Sequence, residues 1–91
     1  MIFKIVLSNR FKKDLKIAKK RGLDLDQLKT VVNKLANGEK LEKKYRDHGL
    51  VGDYAGFREC HLQPDWLLVY RIEQEELELF LFRTGTHSDL F

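Results

Sequence analysis

Three histidines, an aspartate and an arginine are the residues of this chain whose types suit proton and phosphoryl chemistry. His48 lies mid-chain, His61 precedes the turn Gln63-Pro64-Asp65-Trp66, and Arg83 and His87 belong to the closing string RTGTHSDLF, residues 83–91. Imidazole titrates near neutrality, so two histidines can divide the work of a general base and a general acid. A guanidinium offers a fork of donors that stabilises charge on phosphoryl oxygens. These groups suit RNA cleavage without a metal. One takes the proton of the 2′-hydroxyl as it attacks the adjacent phosphate; another protonates the departing 5′ oxygen. DNA lacks that hydroxyl and would be spared. Asp65 either orients a histidine or carries a proton itself, and Trp66 and Phe91 offer rings on which unpaired bases stack.

Each residue also has a plain structural reading. Asp65 after a proline is a common turn residue, Arg83 can pair with acids of the last hairpin, and Trp66 can be core. The histidines lack a compact ligand spacing such as H-E-x-x-H, so neither a metal site nor a cofactor is expected.

Whether these groups meet depends on the elements that carry them. Residues 2–7, IFKIVL, read as a strand. Ser8 is a cap residue for a helix over 9–20, with Phe11, Leu15 and Ala18 on one stripe and Gly22 past its end. Asp24 and Gln27 form a capping-box variant for a second helix carrying Leu28, Val31, Val32 and Leu35, stopped by Asn37-Gly38. Residues 39–55 show no period and read as a loop. Residues 56–62, 66–72 and 76–83 read as strands joined so tightly that they must be antiparallel hairpins. The fold class is therefore α+β, in the order β-α-α-β-β-β. A two-helix hairpin packs on a mostly antiparallel four-stranded sheet. The hairpins alone bring His61, Asp65, Trp66 and Arg83 to one end of that sheet, and the segment carrying His87 leaves from there. The strands are apolar on both faces, so a partner protein or a binding concavity is expected on the face away from the helices.

At 91 residues the chain reads as one domain, 1–91. Its apolar share, 43%, and charged share, 34%, exclude a disordered tail. No apolar run approaches the roughly 20 residues of a membrane span. The first ten residues lack the form of a secretory signal, and the single Cys60 suits a reducing compartment, so a cytoplasmic protein with a buried thiol is expected. Residues 1–46 hold 14 Lys/Arg against 5 Asp/Glu, and residues 47–91 hold 3 against 9. Such asymmetry points to a phosphate polyanion, with Lys12, Lys13 and Lys16 of the first helix as its contacts.

The strings YAGFRECHLQPDWLLVYRI and FRTGTHSDLF, with DHGLVGDY before them, are similar to the RelE/ParE toxin superfamily and its YafQ-like branch. The resemblance covers the whole chain. It implies a bacterial type II toxin, an endoribonuclease that cuts mRNA in the ribosomal A site and is neutralised by a cognate antitoxin. Operator DNA would be bound only by the toxin–antitoxin complex. It also implies catalytic or substrate-contacting roles for His48, His61, Asp65, Arg83, His87 and Phe91, with Trp66 beside them. His87 would transfer a proton, Asp65 or His48 would take the opposite role, and Arg83 would stabilise phosphoryl charge. The resemblance further suggests that Gly85 is a flexible joint that lets His87 reach in. The competing readings are a gyrase poison of the ParE kind, which needs no such constellation, and a non-catalytic RNA- or ribosome-binding module.

Overall fold

The structure, a computed structural model, describes residues 2–91. In chain order it contains β1 (Lys4–Leu7), α1 (Asn9–Lys20), α2 (Leu25–Ala36), β2 (His48–Gly49), β3 (Arg58–Gln63), β4 (Trp66–Glu73), β5 (Glu78–Gly85) and α3 (His87–Leu90). The α+β class and the order of the main elements are as expected. The sheet has five strands rather than four, arranged β1-β5-β4-β3-β2. The addition is β2, whose His48 and Gly49 pair antiparallel with Glu59 and Arg58. A strand of two residues is too short to show alternation, so it reads as loop in the sequence. The sheet is mostly antiparallel; β1 alone runs parallel to its neighbour, β5.

Local chemistry sets the helix ends. Ser8 Oγ accepts from Phe11 N at 2.9 Å and donates to Phe82 O at 2.6 Å, so one hydroxyl caps α1 and ties it to β5. Asp24 caps α2 by accepting from the backbone of Asp26 and Gln27. Gln27 then donates to Leu62 O at 2.5 Å, joining α2 to β3.

The apolar stripes of both helices cover one sheet face. Phe11, Val31 and Leu35 pack with Cys60, Leu68, Tyr70 and Leu79 in the main core. Each such side chain contributes roughly 1.5–3 kcal/mol by leaving water. Burial pushes the Cys60 thiol up to about 12, as suits an inert core residue. On the opposite face Leu67 and Val69 pack with Leu50, Phe57, Phe82 and Leu90. The chain itself therefore covers part of the face for which a partner was expected: the segment around residues 50–57 and α3 fold over it.

One irregularity matters for the site. The β4–β5 register shifts between Val69 and Tyr70, so Phe82 lies opposite no residue. The β1 ladder ends at Leu7, opposite Leu81. Beyond that point β5 has α1, not a strand, beside it.

Candidate active site at one end of the sheet

The β3–β4 hairpin turns at Pro64-Asp65, and His61, Leu67 and Gly85 stand in one row across three strands. The predicted gathering is found for His61, Asp65 and His87. The rings of His61 and His87 are 5.8 Å apart, and those of His48 and His61 6.4 Å. The short strand β2 supplies His48, which pairs across to Glu59.

His87 opens α3. Thr86 Oγ1 accepts from Asp89 N at 3.1 Å, and Asp89 Oδ2 accepts from Thr86 N at 2.9 Å, a reciprocal cap. Asp65 Oδ1 accepts from His87 N at 3.0 Å and lies 2.7 Å from His87 Nδ1. A carboxylate only accepts, so Nδ1 carries the proton of this contact and Nε2 is the nitrogen left to act. The backbone N–H of His87, and then its ring, hold the Asp65 carboxyl below the usual carboxylate range. Asp65 thus orients His87. Both of these bonds fall on Oδ1, so the second oxygen, Oδ2, faces neither His87 donor.

Glu59 belongs to the site and escaped the sequence reading. Its Oε1 lies 3.4 Å from Nε2 of both His48 and His61, and its side chain is 8% exposed. Burying a carboxylate this far is costly without partners, and the Nε2 atoms of the two imidazoles are the groups that face it. His48 Nδ1 is 3.1 Å from Gly49 O, which leaves Nε2 facing Glu59. His61 is more enclosed, and its Nδ1 makes no hydrogen bond among the described residues. The signal for Glu59 was present: on a strand, residues 59 and 61 share a face.

His48, Glu59 and His61 offer ligand atoms that lie within 4.8 Å of one another. Two imidazoles and a carboxylate suit zinc and other borderline divalent ions. These donors come from two strands rather than from one compact motif, so ligand spacing along the sequence does not reveal the group.

The remaining expected residues are divided. Arg83 Nε and Nη2 donate to Asp14 of α1 at 2.8 and 3.2 Å, and Thr84 N donates to the same carboxylate at 3.1 Å. Its acid comes from α1, not from the last hairpin, and it holds the guanidinium firmly charged. Asp14 escaped the sequence reading although it interrupts the apolar stripe between Phe11 and Ala18. Trp66 is 2% exposed and donates from Nε1 to Thr84 Oγ1 at 2.9 Å, so it is core and has no face for a base. Phe91 is exposed and meets the Tyr54 ring edge-on at 5.2 Å. Lys12, Lys13 and Lys16 are exposed on α1 and form no ion pair among the described residues. Gly85 is buried in β5 and is no flexible joint. A Cβ there would lie 2.9 Å from Asp89 Oδ2 and 3.0 Å from its Cβ, so glycine supplies room for the cap.

Residues 3–91 match the family model described as "Bacterial toxin of type II toxin-antitoxin system, YafQ". The chain is 40% identical over 88 residues to the mRNA interferase toxin YafQ of Escherichia coli K12, covering 96% of this chain and 94% of that one. It superposes on the crystal structure of a metal-bound toxin from Helicobacter pylori with a TM-score of 0.93, at 53% identity and with both chains covered in full. On YafQ in the E. coli DinJ–YafQ complex the TM-score is 0.89, at 39% identity over 98% of each chain.

Proposed function

The chain belongs to the YafQ family of bacterial type II toxins, and from that premise we propose that it is a ribosome-dependent endoribonuclease that cuts mRNA in the A site. The observation that carries this reading is the Asp65–His87 dyad, set beside a second carboxylate–imidazole group. The E. coli relative is named an mRNA interferase, and such an activity needs an acid and a base on either side of one phosphate. The rings of His87 and His48 each lie about one ring's breadth from His61, at 5.8 and 6.4 Å, and both side chains are half exposed, so each can reach RNA.

In this mechanism His48, whose Nδ1 donates to Gly49 O, takes the proton of the 2′-hydroxyl on Nε2, and the Glu59 carboxylate stabilises the imidazolium that results. The oxygen attacks the neighbouring phosphorus, the bond to the 5′ oxygen breaks, and His87 delivers a proton from Nε2 to the leaving oxygen. Asp65 holds the tautomer, as a buried aspartate does in hydrolase triads. His61 neighbours both rings and shares Glu59 with His48. Arg83, with its plane fixed by Asp14, presents Nη1 to a phosphoryl oxygen. Phe91, braced by Tyr54, stacks a base. Lys12, Lys13 and Lys16 contact RNA phosphates and lose that affinity as salt rises.

The H. pylori relative was solved with a metal bound, and here His48, Glu59 and His61 would hold one. A metal there would supply Lewis acidity or an activated water. The side chains named above carry each proton of the cleavage, and we infer that cleavage proceeds by them alone. A cognate antitoxin holds the toxin inactive, as DinJ is found with the E. coli relative. The work is done in the cytoplasm, where ribosomes translate; no helix among the described residues is long and apolar enough to cross a membrane.

The test is induction of the wild type and of His87→Ala in cells, with mRNA 5′ ends mapped in both. Growth arrest with new cuts in translated frames, in the wild type alone, is the expected result. Arrest in both without cuts would overturn the nuclease reading in favour of another target such as gyrase.

A further inference from the structure

We propose that Arg21, acting through Asp89, is a positioning residue that sets where His87 stands. The inference rests on the role given to His87 above. Arg21 caps the C-terminus of α1, and 68 residues later in the chain Asp89 lies within its reach. Nη1 donates to Asp89 Oδ2 at 2.7 Å and Nη2 to Oδ1 at 3.4 Å. Oδ2 of the same carboxylate accepts from Thr86 N, the residue before His87. One aspartate therefore joins the end of the basic helix to the cap of the turn that carries the acid.

A single turn cannot hold itself. Helix nucleation is unfavourable, and α3 has only four residues. Its placement depends on outside anchors, and three are present. Leu90 sinks into the cluster with Leu67 and Val69 and fixes depth. Asp65 holds His87 itself. Arg21 holds the other flank, and it spans a gap that packing does not fill. A cavity of about 120 Å³, lined by Asp14, Arg21, Arg83, Gly85 and Asp89, lies between α1, β5 and α3. Across this gap the Arg21–Asp89 pair supplies the side-chain hydrogen bonds that tie α3 to the end of α1 among the described residues. Arg21 also holds the Asp89 carboxyl well below its usual range, which keeps the cap charged.

The pair is partly exposed, so it adds little to global stability. Its loss should nevertheless move a proton donor by a fraction of an ångström, and misplacement on that scale is costly to rate. The experiment compares wild type, Arg21→Ala, Arg21→Lys and Asp89→Asn by steady-state cleavage in a reconstituted translation reaction. Each is also titrated by carbon-detected NMR at the Asp65 carboxyl. Arg21→Ala and Asp89→Asn should lower kcat about 10- to 100-fold with KM little changed. Arg21→Lys should recover most of that loss. The Asp65 carboxyl should rise toward its ordinary range in the two damaged variants, because its depression comes from His87. An unchanged Asp65 titration would overturn the proposal, whatever the rate. So would a rise in KM at constant kcat, which would make Arg21 an RNA contact. If the wild type cuts no RNA, the functional reading falls, and the Asp65 titration still decides the clamp.

Discussion

A single oxygen of Asp65 holds both the backbone N–H and Nδ1 of His87, at 3.0 and 2.7 Å. The carboxylate fixes ring orientation and tautomer together. Asp65→Asn should leave the fold intact, since both residues are exposed. Its amide can donate to Nδ1 and so favour the wrong tautomer, and kcat should fall by about 10²–10⁴. Wild-type turnover in this variant would remove Asp65 from the mechanism.

His87→Ala should separate chemistry from stability. The side chain is 54% exposed, so thermal unfolding should hardly move, while cleavage falls about 100-fold or more. Leu90→Ala makes the contrast. It empties a buried site and should cost about 2–5 kcal/mol and, because Leu90 anchors α3, activity as well. Calorimetry and cleavage kinetics on the two variants check both halves. A large drop in unfolding temperature for His87→Ala would make that residue structural.

Legibility in the sequence followed how local each signal is. Ser8, Gly22 and Asp24 mark helix ends through bonds to their own neighbours, and those ends fall where the sequence puts them. Tight turns force hairpins, so the meeting of His61, Asp65 and His87 follows from chain direction alone. The remainder needed tertiary partners. Whether Trp66 faces solvent or core depends on Thr84, 18 residues away. Arg83 takes its acid from Asp14 at a separation of 69 residues, and nothing near either residue encodes that choice. Glu59 and β2 lay between these cases. The period of a strand places Glu59 with His61, but its meeting with His48 required a two-residue pairing that no pattern reveals.

Asp14 supports Arg83 and Thr84 from beneath, and Thr84 in turn receives the Trp66 indole. Asp14→Ala would leave a largely covered guanidinium and a buried N–H without partners. A loss of about 3–5 kcal/mol is expected from breaking such a pair on one side. Trp66 fluorescence should report the loosening during denaturant unfolding. A variant as stable as the wild type would show that Arg83 finds another acid or water.

The His48–Glu59–His61 group gives a prediction about metals. Protein dialysed against EDTA should cut RNA at the untreated rate, because the proton transfers are assigned to side chains. Added Zn²⁺ should bind to the wild type by calorimetry, lose most of its affinity in Glu59→Gln and His61→Ala, and slow cleavage by occupying an imidazole nitrogen of His48. Activity lost on chelation and restored by Zn²⁺ would assign the metal a catalytic part.

The acid limb of stability has a definite sign. Hydrogen bonds from His87 depress the Asp65 carboxyl, and the Arg21 bond depresses that of Asp89. A group depressed in the folded state contributes above its unfolded value, about 3.9 for aspartate, and that contribution is lost as pH falls through the folded value. The anchoring of α3 by these two carboxylates should therefore be constant from about pH 5 upward and fade below about pH 4. Amide exchange at Leu90 and Phe91, whose N–H groups bond back to Thr86 and His87, measures it directly. In Asp89→Asn the acid-induced loss of protection should be smaller than in the wild type, because one of the two titrating groups is gone. An equal loss in both proteins would show that Asp89 does not anchor the turn.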